Sequence, residues 1–119
     1  MTVGALLLAA TMLVHSILGQ KRLIRPLLNE NAGVMRRPLA RFIIPFAWHL
    51  TSAIGLIVAA ILLAWAWAPD SARTIGLAAT ATTFLVAGIG DAIGSKGRHI
   101  GWPSLTAVGV CTLVALLAS

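Results

Sequence analysis

Charge is scarce in this sequence: 10% of its 119 residues are charged, and the acidic ones are Glu30, Asp70 and Asp91 alone. A soluble domain is about a quarter charged and alternates polar with apolar residues to make a wet face, so an ordinary soluble fold is excluded. Cysteine is reduced to Cys111, set among Val110, Thr112 and Leu113. That rules out a disulfide framework, an intrachain dithiol and a thiolate metal cluster, and leaves Cys111 as a small hydrophobe. Signatures of chemistry are missing too. There is no GxSxG elbow, no HxxxH pair and no second carboxylate within an apolar stretch, so no stretch names a reaction.

What fills the chain instead is apolar sequence, 59% of all residues, gathered into four stretches at about 2–20, 38–68, 74–94 and 103–118. A hydrocarbon core about 30 Å thick needs roughly 20 such residues as helix. The expectation is an all-α integral membrane protein, a single transmembrane domain over 1–119 built as a compact four-helix bundle. The second stretch is longer than the bilayer needs, so its first turns lie among headgroups or the helix tilts. Pro38 suits a first helical turn, whereas Pro45 removes the donor for the Arg41 carbonyl and predicts a kink there. Between the first two stretches, residues 23–28 read as a short interfacial segment and Asn29 to Gly33 as a turn.

The basic residues set the orientation. Lys21, Arg22, Arg25, Arg36, Arg37 and Arg41 follow the first stretch, Lys96 and Arg98 follow the third, and Arg73 stands alone on the opposite side. The positive-inside rule places both basic connections in the cytoplasm, against anionic headgroups, and both termini outside, in the periplasm of a bacterial inner membrane. Trp65 and Trp67 then mark the outer interface and Trp102 the inner one. The net charge of +6 is thereby explained without nucleic acid. The first stretch has no basic n-region and is read as a retained span rather than a signal peptide. Seven arginines among the nine basic residues, with abundant alanine and leucine, point to a bacterial, GC-rich coding sequence.

Ionisable side chains in a bilayer must be buried or partnered, and His15, His49 and Asp91 fall within the apolar stretches. Counting from the nearest basic residues, they lie roughly 9, 12 and 8 Å inside the cytoplasmic surface. Each has small or hydroxylated neighbours at helical spacing: Ser16 and Gly19 with His15, Ser52 and Ala53 with His49, and Ala87, Gly88, Gly94 and Ser95 with Asp91. The expectation is one polar locus of His15, Ser16, His49, Ser52 and Asp91 between the first three spans. The Gly90-to-Gly94 spacing predicts a close helix approach. Such a locus is a hydrogen-bonded network that locks the fold, a b-type haem site with His15 and His49 as ligands, a metal site of unspecified ion, or a proton- or substrate-handling site. His99 reads as solvated or lipid-facing, and the run from Gly94 to Arg98 as a place for a lipid headgroup.

Span number and length resemble the small multidrug resistance transporters and the dimeric fluoride channels. The first family depends on a glutamate in its first helix, where this chain has His15; the second uses an asparagine in a glycine-rich helix, and here Asn29 and Asn31 both lie in a loop. Neither family's function carries over. The expected role is a non-catalytic accessory or structural subunit of a homo-oligomer or larger membrane complex, with a haem- or metal-binding electron-transfer protein and a small oligomeric transporter or channel as alternatives.

Overall fold

The computed structural model describes residues 1–118, about 90% of the chain is helical, and no strand occurs among the described residues. The first rod joins α1 (Thr2–Gly19), a π turn (Gln20–Ile24) and α2 (Arg25–Glu30) into 29 residues, roughly 43 Å long. Residues 23–28 therefore continue the first helix and do not form a separate segment. The π turn precedes Pro26; its carbonyls reach five residues ahead instead of four, which suits a position where proline removes the ordinary donor. Asn31, in the left-handed conformation at φ 48°, ends the rod. A 3₁₀ turn (Gly33–Arg36) then leads to α3.

Helix α3 (Pro38–Trp67) has proline at its first turn and carries Pro45 inside. After a 3₁₀ turn (Pro69–Ser71) comes α4 (Ala72–Gly94), and α5 (Gly101–Leu117) closes the described chain. The first rod, α3, and α4 with its leading turn are long and apolar enough to cross a membrane. The stretch expected as a fourth span forms an apolar helix of 17 residues, about 25 Å long and so shorter than a typical hydrocarbon core.

The four rods run antiparallel to their chain neighbours. Thr2 lies beside Trp67, Met12 over Gly55, and Gly19 under Trp48; contacts climb α1 as they descend α3. Gly76 faces Ile61 and Gly94 faces Phe42 between α4 and α3, while Gly88 meets Thr106 and Gly109 meets Leu85 between α4 and α5. Glycine thus stands at each of the three seams, letting backbones approach where membrane helices gain most from close packing. The expected Gly90 contact is not among them: nothing lies within 4 Å of a side chain there.

These seams do not close into the expected compact bundle. Backbones approach closely in the order α1, α3, α4, α5, and among the described residues a further juxtaposition is a cleft in which Phe46 and Leu50 of α3 face Leu105 and Val108 of α5. The Cα trace measures 50 × 31 × 13 Å. Four helices spaced 8–10 Å apart in one row would span about 30 Å, whereas a square bundle would be only about half as wide. The molecule is an open, slightly curved row. Its accessible surface of 7434 Å² exceeds the roughly 6,100 Å² of a compact soluble monomer of this mass. Large apolar side chains are exposed on every rod, including Leu7, Ile54, Val86, Ile93 and Val114.

Candidate functional site

Two separate polar loci take the place of the single one expected. The first lies in the α1–α3 seam. Ser16 Oγ and His49 Nδ1 are 2.6 Å apart, and His49 Nε2 is 3.1 Å from Gln20 Oε1. An amide carbonyl only accepts, so Nε2 carries the proton and donates to Gln20, leaving Nδ1 to accept from the Ser16 hydroxyl. His15 Nδ1 pairs with Ser52 Oγ at 3.0 Å. The His15 ring stacks on Trp48 with centroids 4.1 Å apart and planes 12° from parallel, and Trp48 Nε1 donates to the His15 carbonyl at 3.1 Å. Trp48 can lie there because residue 19 is glycine; a Cβ at that position would overlap the indole.

His15, Ser16, His49 and Ser52 are therefore together, and Asp91 is not with them. Asp91 is paired with His99 instead, and among the described residues no hydrogen bond joins it to His15 or His49, although His49 also lines the groove between α3 and α4. The arrangement also bears on ligation. Both ring nitrogens of His49 are engaged with protein partners, and one face of His15 is covered by Trp48. An axial haem ligand needs a free ring nitrogen: His49 offers none in this arrangement, whereas among the described residues His15 Nε2 makes no hydrogen bond and stacking on the ring face leaves it unblocked. Among the described residues no group of three or more His, Cys, Asp or Glu is placed to hold a metal ion.

The second locus is at the α4–α5 turn. Asp91 is fully buried, and His99 Nδ1 donates to its Oδ2 at 2.5 Å. The chain reverses here through a Schellman turn: Gly97 N–H reaches the Ala92 carbonyl at 2.8 Å, Lys96 N–H reaches Ile93 at 3.1 Å, and Lys96 adopts φ 53°. That reversal returns His99 over the last turn of α4. Gly101 completes the fit, since a side chain there would stand 2.6 Å from His99 Cε1. His99 is thus a partnered residue, not the solvated one expected. The signal for it was present in the Lys96-Gly97 pair immediately after the small-residue end of α4. Asp91 Oδ1 and Ser95 Oγ are buried without a hydrogen-bond partner among the described residues.

The expected headgroup residues are placed by the helix ends. Lys96 and Arg98 share a small cleft with Pro38 and Leu39, and Lys21 and Arg25 share another with His49. Arg41 is held from within the protein: its Nη1 donates to the Leu28 carbonyl and Asn31 Oδ1, each at 3.0 Å, and to the Met35 carbonyl at 3.4 Å. Arg73 lies in a separate cleft with Ile61, Trp65 and Pro69 at the other end. Compared with protein-family models, curated proteins and solved structures, the chain finds no match.

Proposed function

We propose that this chain is a bacterial inner-membrane protein whose four rods insert with the basic ends in the cytoplasm and both termini in the periplasm, and that it serves as a non-catalytic subunit of a homo-oligomer or larger membrane complex. The observation that carries this reading is the open row: helices packed on at most two sides leave broad apolar faces for lipid or for other helices. The α1–α3 polar side chains support it, because they are spent on joining two helices of the same chain. Alternating rod directions group eight cations at one end against Arg73 at the other, the asymmetry that the positive-inside rule turns into one orientation. The short α5 crosses within a locally thinned bilayer or with its ends drawn inward.

Labelling with a membrane-impermeant maleimide tests insertion and orientation together, using single cysteines introduced into C111S because native Cys111 is exposed. In intact cells, cysteines at Thr2 and Asp70 are expected to react, and those at Arg36 and Lys96 only after lysis. Reaction of all four in intact or sealed preparations, or of Arg36 and Lys96 on opposite sides, would contradict the reading.

A further inference from the structure

Between α3 and α4 runs a groove of about 630 Å³, within the range of small-molecule sites, open along its side. Its walls are Phe42, Phe46 and Ala53 from α3 with Thr83 and Val86 from α4, and Arg41 stands at the basic end. We infer that this groove is a binding site for one anionic phospholipid, with an acyl chain along the apolar walls and the phosphate on Arg41. The inference rests on the membrane insertion proposed above.

Charge complementarity selects this occupant over a second copy of the chain. Arg41 is fixed rather than mobile: three acceptors in the α2–α3 connection hold its Nη1, so its orientation is set before any ligand arrives. Among the described residues its Nε and Nη2 make no hydrogen bond, which leaves guanidinium donors for a phosphate, a geometry in which arginine excels. Arg37 lies one helical turn before Arg41, and the cleft at the start of α3 adds Lys96 and Arg98 to the same end of the seam. Asp91, the buried acid of α4, is committed to His99. A helix of this chain could fill the apolar walls, but its Arg-rich end would face Arg41 if it ran parallel. If it ran antiparallel, it would bring Asp70 together with Arg73, no net negative charge.

Phe42 and Phe46 stack with centroids 5.6 Å apart and form an aromatic wall of the groove that Arg41 also lines. Headgroup charge and chain would thus meet neighbouring walls of one groove. A free phosphate would share the Arg41 contact without needing the groove, so the two sources separate experimentally.

The test is native mass spectrometry of the full chain released from nanodiscs of phosphatidylglycerol, phosphatidylcholine or their mixture, after co-sedimentation with vesicles has established insertion. The wild-type chain is expected to retain one phosphatidylglycerol in preference to phosphatidylcholine, with millimolar inorganic phosphate unable to displace it. R41A should lower that preference about tenfold, the loss of one charge-assisted contact. R41K should fall between, and R73A at the far end should match wild type. Because Arg41 also braces the α2–α3 connection, V86W provides a second arm: it fills the groove from an exposed wall, leaves Arg41 in place, and should remove the retained lipid. Equal retention of both lipids, displacement by inorganic phosphate alone, or an undiminished preference in both R41A and V86W would overturn the site. Failure to co-sediment would overturn insertion itself, and the lipid site with it.

Discussion

Replacing His99 by alanine is expected to destabilise the protein by about 3 kcal/mol, more than Asp91→Asn at about 1 kcal/mol, although both act on the same hydrogen bond: alanine removes it, whereas the asparagine amide oxygen still accepts from Nδ1–H without the charge. The asymmetry comes from what each change leaves behind. His99 retains 26% side-chain exposure and can turn toward water when its partner is lost, whereas Asp91 has none. H99A therefore strands a fully buried carboxylate beside Gly101, with neither oxygen partnered, since Oδ1 already lacks a donor. Adding D91N to H99A should recover part of the loss, because an amide is cheaper to bury alone than a charge. Thermal unfolding in mild detergent, followed by helical circular dichroism, checks the order of the three variants. If D91N were the most damaging and the double variant worse than either, the pair would not be the structural element described.

Gly88→Ala should cost about 2–3 kcal/mol, even though alanine is the better helix former by about 1 kcal/mol. A Cβ at residue 88 would stand 2.6 Å from the Thr106 nitrogen and 2.9 Å from its Cα, and backbone atoms inside a helix cannot step aside as a side-chain tip can. The α4–α5 seam must open or slide. Gly90→Ala is the matched control two residues away: nothing lies within 4 Å of that position, so it should be neutral or stabilising by up to about 1 kcal/mol. Unfolding midpoints of the two variants, measured side by side, separate packing from helix propensity. Equal midpoints would mean that the seam is not formed at Gly88.

Helix positions were legible in the sequence because apolar runs, Pro38, Pro69 and the glycine-lysine end of α4 are local signals. The residues of the α1–α3 locus were legible as well, since ionisable groups in apolar stretches demand partners and Ser16 and Ser52 stand at helical spacing from the histidines. Three things were not. Leucine, valine and alanine serve equally against lipid and against a neighbouring helix, so nothing in the pattern distinguishes an open row from a closed bundle. That is why Asp91 was placed with His15 and His49. The continuity of the first rod depends on a π turn ahead of Pro26, a backbone variant without a residue signature of its own. The stacking of Trp48 on His15 depends on the register between α1 and α3, which is set by Met12 over Gly55 and Gly19 under Trp48 and is a property of the pair. By position His99 is a residue of a basic turn, and the reversal of that turn through Lys96, which carries it back to Asp91, is a backbone property that the position of His99 alone does not announce.

The subunit role proposed for this open row, with its apolar faces, is tested most directly by the mass of the chain in a native bilayer. Mass spectrometry on vesicles ejected straight from the source membrane, without detergent, should find the 12.4 kDa chain in integer multiples of itself or joined to another polypeptide. A chain that leaves the membrane only as a single copy, bearing lipid and nothing else, would contradict the assembly role.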